Sequence, residues 1–134
     1  MSDRLDRGLL DTSVVVDMDL LDPAHLPREV AISVISLAEL CAGPSATIDA
    51  SERARRQDRL QRTEAVFDPL PFDVESARAY GRVYAAVVEQ GRKSRPRFAD
   101  MLIASTALAM QLPLVTRNAE DFAGLERLLA IFEI

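Results

Sequence analysis

Asp11, Glu39, Asp100 and Asp121 are the residues whose type and placing could do chemistry. The chain has one histidine, His25, and one cysteine, Cys41, too few for a zinc site. Carboxylates gathered in one pocket would instead suit a hard divalent cation, Mg2+ with Mn2+ as a substitute. One such ion, or two, lowers the pKa of a bound water and neutralises a phosphodiester under attack. Each acid also has a plain structural explanation. Asp11 could N-cap the helix after it. Ser36-Leu37-Ala38-Glu39 fits a capping box, and Asp100 could be a first-turn acid favoured by the helix dipole. Asp121 follows a capping Asn118 by three residues.

The elements that would carry these acids decide between the two explanations. Residues 8–10 read as a buried strand with Asp11 at its carboxyl tip, and Thr12 and Ser13 begin a helix over 13–21. Residues 30–34 form a second, β-branched strand, and a helix opening at Ser36 stops at Gly43-Pro44. An Arg-rich helix spans 49–67, with Ile48, Ala54, Leu60 and Val66 as inward candidates. Residues 67–72 are an extended, proline-marked edge. A helix then runs from Asp73 to about Gly91 with Ala77, Tyr80, Val83, Tyr84 and Val87 at helical spacing. After a basic loop come an Ala-rich helix over 98–110, a strand over 114–116, a short helix from Asn118 and a last strand over 128–134. This alternation predicts an α/β fold, a three-layer α/β/α sandwich on a mostly parallel central sheet. We expect one domain over residues 1–134, with 1–7 a flexible N-terminal tail.

In such a sheet, chemistry sits beyond the carboxyl ends of the strands. Asp11 and Asp121 fall at or just after strand ends, and Glu39 one short turn after the second strand. The 98–110 helix runs back antiparallel to the strand it feeds. At about 20 Å it crosses the sheet, so its amino end and Asp100 return to the same edge. Four carboxylates there could not all stay ionised without a cation. Asp17 is carried nearly two turns away and reads as a surface acid.

The remaining composition bounds the partners. Of 134 residues, 49% are hydrophobic and none is Trp, so the core is aliphatic. No apolar run approaches the ~20 residues of a membrane span, the start is no signal peptide, and a cytoplasmic protein with no membrane partner is expected. Net charge is −5, yet Arg92, Lys93, Arg95 and Arg97 crowd into one loop and, with Arg117, are candidate contacts to nucleic-acid phosphates. A solvated loop is the equal alternative. Ser13, Thr116 and Asn118 stand as polar neighbours of the acids, Asn118 mainly as a cap. Cys41 reads as a small core residue, Tyr80 and Tyr84 as helix packing or a dimer face, and His25 as without a role.

The pieces Leu10-Asp11-Thr12-Ser13, Ser36-Leu37-Ala38-Glu39-Leu40, Ala99-Asp100-Met101-Leu102-Ile103-Ala104 and Val115-Thr116-Arg117-Asn118-Ala119-Glu120-Asp121-Phe122 give the chain a family likeness. In order and spacing it resembles the PIN-domain ribonucleases, specifically the VapC-type toxins of bacterial type II toxin–antitoxin pairs, over essentially everything from Gly8 on. The resemblance implies a Mg2+-dependent endoribonuclease, a homodimer, and inhibition by a cognate antitoxin bound at or near the site. It carries the metal and catalytic positions onto Asp11, Glu39, Asp100 and Asp121, with Ser13 and Thr116 beside them. A non-catalytic protein- or RNA-binding module on the same fold is the alternative, and the intact acid set counts against it. A Mg2+-binding phospho-receiver domain is more remote: Lys93 precedes the 114–116 strand, and Leu10-Asp11-Thr12 supplies one acid where two are wanted.

Overall fold

Leu9 and Leu10 divide the molecule, because side chains alternate across a strand. They sit in β1 (Arg7–Leu10) of a computed structural model that describes residues 4–91 and 96–134. Leu9 lies in a core with Val83, Ile103, Ala104, Leu114, Phe122 and Leu125 on one face of the sheet. Leu10 lies with Val14, Val15, Ile32, Leu40 and Val115 on the other. Adjacent residues in β3 (Leu114–Thr116), Leu114 and Val115, split in the same way.

Around these two strands the sheet runs β2-β1-β3-β4, with β2 Glu29–Ala31 and β4 Ile131–Glu133, every pairing parallel. The helices are α1 (Thr12–Val16), α2 (Val34–Ala42), α3 (Ala50–Val66), α4 (Val74–Gln90) and α5 (Phe98–Met110). Helices α4 and α5 supply Val83, Ile103 and Ala104 to the first core, while α1 and α2 supply Val14, Val15 and Leu40 to the second. The expected three-layer α/β/α sandwich is the fold. At Gly8 the strand passes so close to its neighbours that a Cβ would stand 2.8 Å from Pro27 Cγ and 3.1 Å from Val115 Cγ2. Only glycine lets the strand ending at Asp11 lie this deep.

Several expected boundaries shift, each for a local reason. β2 stops at Ala31 because Ser33 turns out to cap α2, its Oγ accepting from Ser36 N–H at 3.2 Å. The 67–72 segment forms no strand; Leu70 makes an isolated parallel bridge to Ser33, just past β2, and Pro69 and Pro71 have no N–H to extend it. Helix α1 ends at Val16, with Asp17 at its C-cap and a 3-10 turn, Met18–Leu20, beyond. Residues 4–7, expected as a flexible tail, are tied down: Arg28 N–H donates to Leu5 O, Glu29 N–H to Asp6 O, and Arg7 opens β1. Helix α3 faces inward with Thr63 and partly with Leu60, while Ala54 and Val66 face solvent, as does Ile48 ahead of the helix. On α4, Val83 is buried and Tyr80 and Val87 are half-buried, but Ala77 and Tyr84 are exposed. Cys41 is exposed and is no core residue. His25 is exposed in a 3-10 turn.

Candidate active site

β1 and β3 lie side by side, so Asp11 and Thr116 meet at their carboxyl ends although 105 residues separate them. Asp11 N–H donates to Val115 O at 2.8 Å, which fixes the backbone. Asp11 is 4% exposed. Its Oδ1 accepts from Thr12 N–H at 2.9 Å, so the capping role read from the sequence is also real. Its Oδ2 accepts from two hydroxyls, Ser13 Oγ and Thr116 Oγ1, each at 2.8 Å. Both are oriented in turn: Ser13 Oγ accepts from Arg117 N–H at 3.1 Å, and Thr116 Oγ1 from Asn118 N–H at 3.0 Å. Burial pushes the Asp11 pKa above the ordinary 3.8. The two hydroxyls work against that rise, and the Asp100 charge adds to it.

Asp100 stands in the first turn of α5, only 1% exposed. Its Oδ2 accepts from Arg97 N–H at 3.3 Å, so it too serves its helix end. The Arg97 side chain also grips it: Nε lies 3.3 Å from Oδ2 and Nη2 3.3 Å from Oδ1. The same Nη2 is 3.8 Å from Glu39 Oε2. These acids keep Arg97 protonated even more firmly than usual, chiefly through the bonds to Asp100, with smaller pulls from Glu39 and Asp121.

Glu39 lies mid-way along α2 and is not the capping-box partner of Ser36. The helix begins two residues before Ser36 and is capped by Ser33. Glu39 Oε1 instead accepts from Thr12 Oγ1 at 2.6 Å. Ser36 Oγ is 2.7 Å from that threonine oxygen. With the threonine proton given to Glu39, the serine is left to donate. Thr12 and Ser36 are thus site residues that sequence reading passed over. The available signal was Ser36 and Glu39 one turn apart on one helix face.

Asp121 is half-buried in the 3-10 turn Ala119–Phe122, within electrostatic reach of Arg97. Asn118 makes no side-chain cap, and its contribution is the backbone N–H to Thr116. Arg117 pairs with Asp17 at 3.3 Å and reaches Ile134 O at 3.4 Å, so it is not a free cation. Arg97 faces the acids, and Arg92, Lys93 and Arg95 lie outside the described residues.

The all-oxygen donor set fits a hard divalent ion and offers no nitrogen or sulfur ligand. Among the described residues, however, no three acid, histidine or cysteine side chains close on one point by themselves. The carboxylates come to one edge, as expected, but Asp100 and Glu39 are gathered on a guanidinium. Two grooves adjoin. One of about 260 Å³ leads from Thr12 and Glu39 to Arg56 and Arg59. Another, about 350 Å³ and largely apolar, is lined by Val15, Met18, Val30, Val66 and Phe67, with Asp19 and Arg62 at its rim. Among the described residues no helix is long and apolar enough to cross a membrane.

The PIN domain family model matches residues 9–128. Ribonuclease VapC5 of Mycobacterium tuberculosis is 38% identical over 122 residues, covering 89% of this chain and 87% of that protein. Ribonuclease VapC of Rickettsia bellii is 29% identical, covering 90% and 91%. Among solved structures, VapBC-5 of Mycobacterium tuberculosis, a member of the VapBC family of toxin–antitoxin systems, superposes with a TM-score of 0.85 at 36% identity, covering 96% of this chain and 99% of that one. FitAcB from Neisseria gonorrhoeae superposes at 0.71 with 26% identity, covering 93% and 96%.

Proposed function

Because this chain belongs to the PIN-domain family, within its VapC group, we propose that it is a Mg2+-dependent endoribonuclease toxin, held in check in the cytoplasm by a cognate antitoxin. Asp100 is the observation that supports this reading most. A carboxylate 1% exposed, within reach of the Asp11 charge and sharing a cation with Glu39, is costly to keep unless the pocket exists to hold positive charge.

In this reading Asp11, Glu39, Asp100 and Asp121 hold Mg2+, for which Mn2+ substitutes. The ion supplies a water of lowered pKa and neutralises the phosphodiester. The protein's own share is placement. Ser13 and Thr116 fix the Asp11 carboxylate and oppose the rise in its pKa that burial causes. Thr12 turns Glu39 so that Oε2 faces the pocket. Arg59 along the smaller groove, with Arg97 at the rim, suits the phosphates of a single-stranded or looped RNA, whereas Arg56 is held by Glu52 and Gly43 O. The apolar groove beside Val15 and Phe67 suits the apolar face of an antitoxin segment whose basic side chain enters the acidic edge. A homodimer would use the α4 face, where Tyr84, Val88 and the neighbouring Phe98 are exposed.

The deciding experiment is cleavage of single-stranded RNA by purified protein with Mg2+, with EDTA, and with Asp100→Asn. Cleavage should require Mg2+ and vanish in the variant while its circular dichroism stays native. Full activity of Asp100→Asn, or cleavage that resists EDTA, would overturn the proposal.

A further inference from the structure

Two carboxylates of the edge share a cation that belongs to the chain itself. Arg97 reaches both oxygens of Asp100 at 3.3 Å and, with the same Nη2, Glu39 Oε2 at 3.8 Å. The Arg97 side chain is 69% exposed while that of Asp100 is 2% exposed, so the guanidinium leans over the pocket from its solvent side. A carboxylate as buried as Asp100 must be neutralised by a partner, and a two-pronged guanidinium does this well. Its oxygens are also the groups a divalent ion would use. A guanidinium and an ion cannot both lie against them without strong repulsion. Arginine cannot escape by losing its proton. The only exit is movement of the side chain, which its exposure permits.

From this geometry we infer that Arg97 is a tethered competitor of the divalent ion: it neutralises Asp100 and Glu39 and must swing off them before an ion can bind both. The inference rests on the acids being an ion site, as proposed above, and concerns how that site is filled. It gives the pocket a threshold. Divalent ion below a certain concentration loses to a cation whose effective concentration is set by its own backbone. Once displaced, the guanidinium stays at the rim, where the next negative group to arrive is the RNA phosphate.

Calorimetric titration of Mn2+ into the full chain tests this with no reference to cleavage. Arg97→Gln should bind Mn2+ about tenfold more tightly than the wild type. Arg97→Lys should fall between, because a lysine has no fork to hold both oxygens. In EDTA, Arg97→Gln should melt at lower temperature than the wild type, and Mn2+ should raise its melting temperature by the larger amount. Affinity in a natively folded Arg97→Gln equal to or weaker than that of the wild type overturns the inference. If that variant does not fold, Arg97→Lys decides, and affinity no tighter than the wild type overturns it. Asp100→Asn separates the two levels. If the wild type binds Mn2+, Asp100→Asn does not, and Arg97→Gln matches the wild type, only the role of Arg97 falls. If neither the wild type nor Arg97→Gln binds Mn2+, the ion site itself falls, and the inference with it.

Discussion

Asp11 and Asp100 are both nearly buried carboxylates, 4% and 1% exposed, yet they are held by opposite means. Asp11 ends a strand and is fixed by neutral hydroxyls from its own helix and from β3. Asp100 begins a helix and is held by a charge on a flexible stem. Hydroxyls orient a carboxylate without satisfying its charge, so Asp11 keeps a raised pKa and an appetite for a cation. A guanidinium satisfies the charge outright but can be exchanged. One corner of the site is therefore fixed and underneutralised, and the other is neutralised and replaceable.

The largest test of this contrast is loss of either acid. Asp11→Asn and Asp100→Asn should each lower kcat/KM by more than about 100-fold, beyond what outer partners of a metal site contribute. Their stabilities should part: in EDTA, Asp100→Asn leaves Arg97 without its main partner, whereas Asp11→Asn removes a charge that burial disfavours. Next comes Thr116→Val, isosteric in a fully buried position. Removing a hydroxyl that lowers the Asp11 pKa should push that pKa further up. The acid limb of the pH–rate profile should move to higher pH, with a loss of about 10-fold at its plateau. Thr12→Val should lose less, because Glu39 is only half-buried and water can replace the lost donor.

The sign of the pH effect on stability follows from burial. The folded state binds the Asp11 proton more tightly than the unfolded chain, whose value is near 3.8. That contribution to stability is full below the unfolded value and is lost as pH rises through the raised folded one. In EDTA, urea midpoints of the wild type should fall across that interval relative to Asp11→Asn, and saturating Mn2+ should remove the fall. The smallest effect belongs to Ser33→Ala. It removes the N-cap of the helix bearing Glu39 and should lower unfolding free energy by about 1 kcal/mol. If it slows cleavage more than Thr12→Val does, Glu39 is placed by its helix and not by Thr12.

Much of this was legible in the residues, and unevenly so. Helix α5 and strand β3 have the expected ends because an Ala-rich, largely apolar stretch is flanked by Pro96 and Pro113. All four acids reach the expected edge because helix direction and strand order require it. The start of α2 was hidden in Val30-Ala31-Ile32-Ser33-Val34, a run whose β-branched residues read as one strand. What overrides that propensity is a single serine hydroxyl at a helix end. The inward side of α3 was hidden because the helix packs along a narrow line through Leu60 and Thr63, leaving Val66 outside. Thr12 and Arg97 were hidden for another reason. Spacing places a backbone but does not say which way a long or small polar side chain turns, and each is bonded to an acid on a different or neighbouring turn.

The bond from Thr116 to Asp11 also has a meaning in time. It joins residues 105 positions apart, and β1 has no β3 to pair with until residues 114–116 are made. At roughly 5–20 residues/s of synthesis, about 5–20 s pass between the two being made. During that interval the unfinished polypeptide carries Asp11, Glu39 and Asp100 but lacks the strand that sets the first of them. The acidic edge is therefore assembled only when β3 emerges: a growing chain that has not reached Thr116 carries its earlier acids without the hydroxyl and the strand that fix Asp11.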